Sequence, residues 1–260
     1  MEPVSHGVLG LALAVAVGFI LGLLGGGGSI LALPIFLYVF KVPTKSAVAM
    51  SLAVVGMSAA VGFLSHWRQG NVNLRVALPF GLLAMVGAFG TAKVAHGVPA
   101  NVQLTLFVAF ALAAAVFMLR DSLRPALRET APTGPPPRFS VVLGMQAVAV
   151  GVLTALIGAG GGFVIVPALV LLAKVPVRSA VGSSLLIIAM NGLSGFVGYI
   201  GVVPIDWALV GEFTGLAAVG AIAGTMVAPR VPTRRIKQGF AVTIILLGAL
   251  VVARRVGLLG

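Results

Sequence analysis

Cysteine is absent from this sequence, and acidic residues are scarce: five Asp and Glu against 17 Lys and Arg in 260 residues. The first absence excludes disulfides, thiolate metal ligands and cysteine nucleophiles. The second leaves little material for a pair of carboxylates doing acid–base chemistry. Charge of either sign is also low, 8% of residues, while 60% are hydrophobic; a soluble domain carries about 25% charged residues. The alternating segments of roughly ten residues that build an outer-membrane barrel are missing, and the apolar runs have helical length. These features predict an all-α polytopic integral membrane protein. No Lys or Arg precedes Lys41, so the positive start of a signal peptide is lacking and the first apolar run is expected to stay as a span. The three histidines, His6, His66 and His96, read as loop or terminal residues without ligand spacing, so no metal and no cofactor is expected. A net charge of +12 reads as basic residues flanking spans, with no nucleic acid as partner.

Glycine is abundant, 35 residues, and two clusters of it interrupt the most apolar stretches. Gly25-Gly26-Gly27-Gly28-Ser29 precedes Pro34, and Gly158-Ala159-Gly160-Gly161-Gly162 precedes Pro167. The two lie at an offset of 133 residues, as do Lys41-Val42-Pro43 and Lys174-Val175-Pro176, Ser46-Ala47-Val48 and Ser179-Ala180-Val181, and Ser51-Leu52 and Ser184-Leu185. Gly62-Phe63 and Gly195-Phe196, Gly87-Ala88 and Gly220-Ala221, and Val98-Pro99 and Val231-Pro232 keep the same offset. The chain is therefore a duplicated half: 1–120 as a first transmembrane repeat, 121–138 as a Pro/Arg-rich cytoplasmic linker, and 139–260 as a second repeat.

Within each half, the apolar run around the glycines is too long for one crossing of about 20 residues, yet each of its parts is short. A pair of short helices meeting at the glycines, re-entrant in character, fits better, followed by three longer transmembrane helices. The expected spans of the first half are Leu9 to Leu24, Ile30 to Phe40, Ser46 to Ser65, Leu74 to Val94 and Val102 to Leu119. If each short pair returns the chain to its starting side, the halves are inverted repeats. Placing the linker in the cytoplasm then gathers most basic residues on that side. Only Lys41, Lys45, Lys93, Arg254 and Arg255 are left outside, the asymmetry expected of an inner (plasma) membrane protein. Inverted repeats with broken helices are the usual build of secondary transporters, which bind substrate near the midplane.

A helix that starts after a glycine break offers free N–H groups and the positive end of its dipole, and so holds an anion without a buried cation. On this reading the substrate-binding residues are Gly25, Gly26, Gly27, Gly28 and Ser29, with Gly158, Gly160, Gly161 and Gly162, and hydroxyl or amide donors from Ser51, Ser183, Ser184 and Asn191. The competing reading is that small residues only let helices pack, which suffices for single glycines such as Gly18, Gly62 and Gly81. Glu212, two turns into a span and without a counterpart in the first half, is the candidate for proton coupling; hydration at the interface is its plainer explanation. Asp206 and Asn73 occupy equivalent positions and read as N-caps. Trp67, Trp207 and Tyr199 read as interfacial anchors. Neither cluster continues as the Gly-Lys-Ser/Thr of a phosphate loop or carries the G-x-G-x-x-G spacing of a dinucleotide fold.

The doubled glycine cluster with its trailing proline, the lysine/proline turn and the Ser-Ala-Val helix start after each cluster resemble the sulfite exporter TauE/SafE family. The resemblance covers essentially the whole chain; the first copy departs from the pattern in reading Gly-Gly-Gly-Gly-Ser. It implies a multi-span transporter of small, often sulfur-containing anions such as sulfite, sulfoacetate or related organosulfonates. The expected function is thus a secondary transporter working by alternating access, not an enzyme. Its partners would be a small anion, the lipid bilayer and a second copy of the chain in a homodimer. A passive anion channel and a membrane-embedded enzyme are the alternatives.

Overall fold

Thr44–Arg68 and Arg178–Tyr199 run through the middle of the molecule: 72% and 67% of their most apolar windows are buried inside the protein, against 39% for Leu74–Ala95 and for Trp207–Val227. The computed structural model describes residues 8–26, 28–95, 97–123, 141–158, 162–171, 173 and 175–231. In chain order the helices are α1 (Val8–Leu24), α2 (Ser29–Pro34), α3 (Thr44–Arg68), α4 (Leu74–Ala95), α5 (Ala100–Leu123), α6 (Val141–Ile157), α7 (Gly162–Leu171), α8 (Val177–Tyr199) and α9 (Trp207–Val227). α2 continues as a π-helical stretch, Ile35–Val39, next to Pro34, which has no N–H to give an α-helical ladder. All regular structure among the described residues is helical, the form in which a single segment satisfies its own backbone in lipid. Four of these helices are long and apolar enough to cross a membrane: Thr44–Arg68, Leu74–Ala95, Arg178–Tyr199 and Trp207–Val227. The chain is a multi-pass membrane protein.

The expected runs correspond to these elements within a few residues, with two extensions. The third span does not end at Ser65; α3 continues through His66, Trp67 and Arg68 and stops at Gly70, whose φ is +72°. α5 extends through Leu123, past the expected end of that span at Leu119. A glycine decides the end of α3. The rest of the linker and the last span of the second half lie outside the described residues.

Local backbone bonds recur at the 133-residue offset. Gly25 N–H donates to Leu21 O and Gly158 N–H to Thr154 O, each at 2.8 Å. Their φ angles are +75° and +74°, the left-handed turn that ends a helix and that glycine adopts without steric cost. Pro43 and Pro176, both with ψ 142°, cap α3 and α8. Asp206 accepts from Leu209 N–H at 3.0 Å as the cap of α9, as expected.

Helix packing follows small residues. In α1, Gly18 lies against the Ala217 backbone and Gly22 against that of Ala221; in return, Gly220 and Gly224 of α9 meet the carbonyls of Val15 and Phe19. The pairs advance together, so α1 and α9 run parallel at backbone contact. The same relation joins α6 and α4, where Gly151 meets Ala84 and Gly87 meets Val148, each pair shifted by 133. Such approach is available only to small residues and replaces the hydrophobic drive that lipid removes. α3 and α8 cross antiparallel: Gly195 faces Leu52, Gly56 meets Gly192 and Leu193, and Gly62 faces Leu185. Gly62 and Gly81, the latter against Met190, are thus packing glycines, as is Gly18.

Candidate functional site at the glycine breaks

α1 stops at Gly25 and the chain doubles back. Gly28 lies against Val17 and Leu21 of α1, and the Phe40 ring covers Gly10 near the start of that helix. The first broken segment is therefore a hairpin whose tip carries the glycines. The second break, between α6 and α7, meets the first. A β-carbon on Gly26 would fall into the Gly162 backbone, and one on Gly162 would fall against Gly26 Cα. The two clusters, 133 residues apart in sequence, are brought together at the start of α7. Gly27, Gly160 and Gly161 lie outside the described residues.

The long central helices brace both breaks, each from the opposite repeat. Ser51 Oγ lies 2.7 Å from Gly158 O and 2.8 Å from Val48 O, sharing one hydroxyl proton between two carbonyl acceptors. Its counterpart Ser184 donates to Val181 O at 2.7 Å, and a β-carbon on Gly25 would lie 2.6 Å from Ser184 Oγ. Ser29 Oγ donates to Gly26 O at 2.7 Å. Ser183 Oγ accepts the Asn73 N–H at 2.8 Å, joining α8 to the loop before α4. These four hydroxyls, all buried, thus hold backbone in place around the breaks. The N–H groups of Ser29 and Leu31 bond within the turn, to Gly26 O at 3.4 Å and Gly28 O at 3.1 Å.

Asn191 behaves differently. It is fully buried, and both its Oδ1 and its Nδ2 lack a partner. It lies one turn beyond Ile188, whose Cδ1 a β-carbon on Gly162 would meet at 2.6 Å. The residue 133 positions earlier is Ser58 on α3, buried with an unpartnered Oγ. Thr154, buried on the last turn but one of α6, also has a free Oγ1. Sequence reasoning named Asn191 and missed Ser58 and Thr154; the repeat offset carries the signal for Ser58. An unsatisfied buried polar group costs about 1–3 kcal/mol, so these atoms form a small reservoir of unused hydrogen-bonding capacity.

Two aromatic expectations change. Tyr199 is fully buried, and its hydroxyl donates to Ala155 O at 2.9 Å, so it is an interhelical brace and not an interfacial anchor. His66 is not in a loop: it is in the last turn of α3, 4% exposed, with Nε2 3.2 Å from Gly22 O. The pairs His66–Gly22 and Tyr199–Ala155 differ by 133 at both members. Trp67 and Trp207 are exposed at helix ends, 52% and 59%, as interfacial residues are. Glu212 is exposed on α9. With Gly18 level with Ala217 and Gly22 with Ala221, Glu212 is twelve residues of helix from the level of Gly25, about 18 Å at 1.5 Å per residue.

Comparison with known proteins yields a match between residues 10–251 and the family described as Sulfite exporter TauE/SafE. A "Probable membrane transporter protein" of Xylella fastidiosa strain 9a5c is 36% identical over 219 residues, which cover 82% of this chain and 82% of that protein. The Bacillus subtilis "Probable membrane transporter protein YdhB" is 28% identical, covering 90% of this chain and 95% of its own. A probable membrane transporter protein of Methanocaldococcus jannaschii is 30% identical, with 73% and 72% covered. No solved structure gives a significant match.

Proposed function

Since the chain belongs to the sulfite exporter TauE/SafE family of membrane transporters, we propose that it is a secondary transporter that carries a small, sulfur-containing oxyanion through the junction of its two glycine breaks. Sulfite, sulfoacetate and related organosulfonates are the substrate class. The carrying observation is the meeting of Gly26 and Gly162. Two helix-breaking turns meet there, with the unpartnered amide of Asn191 one turn beyond Ile188, which faces Gly162, and the unpartnered hydroxyl of Ser58 at the equivalent position of α3. Backbone N–H groups and neutral side-chain donors hold an anion without the cost, several kcal/mol, of a cation buried in lipid.

The two halves act as inverted repeats. Antiparallel crossing of the equivalent helices α3 and α8 supports this, together with the exchange by which each half packs its first helix on the other half's penultimate one. In this arrangement the linker and most basic residues face the cytoplasm, and rocking of one repeat against the other exposes the junction alternately to each side of the plasma membrane. Transport, rather than catalysis, is what a site built of carbonyl-bonded hydroxyls and neutral donors supports. Saturable flux of radiolabelled sulfite or sulfoacetate in proteoliposomes is the test. Intact flux in Gly27→Leu and Gly160→Leu would sink the site, and flux without saturation would favour a channel.

A further inference from the structure

We propose that His66 is the proton-binding group of this transporter, coupling proton movement to the anion at the first glycine break; the assignment rests on the transport reading above. Its imidazole and Tyr199 are the buried titratable side chains among the described residues, whereas Lys41, Lys93, Arg68, Arg75, Arg178, Arg230, Asp206 and Glu212 are exposed and Lys45 is half-buried. Position matters as much as burial. Gly22 O, the partner of Nε2 at 3.2 Å, belongs to the last turn of α1, three residues before Gly25. The carboxyl end of a helix carries partial negative charge and favours a cation.

The bond fixes where the next proton goes. A carbonyl accepts only, so Nε2 carries the hydrogen and the neutral ring keeps its lone pair on Nδ1. Nδ1 is buried and has no partner. Protonation there yields an imidazolium that retains the Nε2 bond to Gly22 O and adds a positive charge at the edge of the break. An anion arriving at the break favours that charge, and by linkage the charge favours the anion in equal measure.

The second repeat supplies a built-in comparison. Tyr199 makes the equivalent bond to the equivalent carbonyl, Ala155 O, through a phenol that stays neutral at physiological pH. One break has a latch able to charge, the other a latch fixed in the neutral form. A duplicated transporter that needs one proton site needs this asymmetry only once.

Charged groups around His66 do not supply an alternative site. α1 has no ionisable residue from Val8 to Leu24. On α8 the neighbour is Gly182, packed on the His66 Cβ, with the exposed Arg178 one turn earlier. The adjoining loop contributes Asn71, whose N–H donates to His66 O. On α3 itself Arg68 is exposed and Lys45 lies at the opposite end; Arg75 on α4 and Arg230 beyond α9 are exposed. α9 brings Asp206 and Glu212, but both precede Ala221, the residue level with Gly22, by at least nine positions, about 13 Å.

The test combines histidine NMR with flux. In detergent-purified protein labelled with nitrogen-15 histidine, the His66 resonance, assigned by its loss in His66→Gln, is expected to shift as the pH is lowered and Nδ1 takes up its proton. Addition of sulfite is expected to move its midpoint upward. In proteoliposomes the wild type should move protons with sulfoacetate, whose own charge does not change between about pH 6 and pH 8, read by a pH-sensitive dye. His66→Tyr, which installs the neutral latch of the other repeat, should carry sulfoacetate without protons, its flux ratio between pH 6 and pH 8 falling to about 1; His66→Gln should do the same. A His66 ring that stays neutral to pH 5 and ignores sulfite overturns the assignment, as does proton-coupled flux surviving in either variant. Absence of sulfite and sulfoacetate flux from the wild type counts against the transport reading alone, since the titration decides His66 separately.

Discussion

Gly26 and Gly162 touch through their backbones: each occupies the space that a β-carbon on the other would need. This contact joins the tip of the first broken hairpin to the start of α7, and it makes both positions intolerant of any side chain. Backbone cannot move aside as the end of a flexible side chain can. Gly26→Ala and Gly162→Ala are therefore expected to part the two breaks, reducing flux by at least tenfold while the protein still folds, because α1–α9 and α4–α6 packing is untouched. Size-exclusion profile and flux, measured together, check this; wild-type flux in either variant refutes the junction as the transport site.

The serine braces make a second expectation. Ser51 ties α3 to Gly158 O, whereas Ser184 lies against Gly25 and donates within its own helix, to Val181 O. Removing the Ser51 hydroxyl takes a partner from Gly158 O outside any helix, at a cost of about 1–2 kcal/mol. Ser51→Ala and Ser184→Ala should each lower the thermal unfolding midpoint in detergent, and Ser51→Ala should do so more, since its hydroxyl reaches across to a residue 107 positions away as well as to its own helix. Equal and negligible shifts would mean the hydroxyls are idle.

Packing glycines can be separated from spare ones. Gly18 and Gly22 face the backbone of α9 without clearance, whereas a β-carbon on Gly211 or Gly215 meets nothing within 4 Å. Gly18→Ile and Gly22→Ile should part α1 from α9 and abolish the folded, monodisperse protein. Gly211→Ala and Gly215→Ala should leave the midpoint unchanged or raise it, with up to about 1 kcal/mol available from helix propensity. A destabilised Gly215→Ala would show that this face of α9 is covered in the membrane by another surface.

Much of the fold was legible because lipid imposes strong rules. Span length, the doubled glycine clusters and the constant offset marked nearly every helix, and the caps at Pro43, Pro176 and Asp206 stand where chain chemistry places them. What escaped was whatever depends on a neighbour distant in sequence. Tyr199 looked like an anchor because aromatic residues at span ends usually are; only the packing of α6 against α8 shows its hydroxyl turned inward to Ala155. His66 reads as loop in the sequence because polar residues follow it, although the helix runs on to Arg68, just before Gly70. The hydroxyls of Ser29, Ser51 and Ser184 are bound to carbonyls and that of Ser183 accepts an N–H, while the groups left free, at Ser58 and Thr154, look in the sequence like ordinary small residues.

Asn191 allows stability and function to be driven in opposite directions. Its amide is buried with neither end bonded, so the folded protein carries a desolvation cost that an apolar side chain of similar volume would remove. Asn191→Leu should thus keep the thermal midpoint or raise it. If the amide meets the anion in transit, the same substitution should raise the half-saturating sulfite concentration by about tenfold, the loss of one good hydrogen bond. Ser58→Ala should repeat the pattern more weakly, because a hydroxyl offers one donor where the amide offers two. A residue kept only for packing would lose stability and function together. Falling midpoints with unchanged affinity would therefore remove both groups from the transport path, whereas a more stable protein with weaker substrate affinity would identify them as donors reserved for the anion.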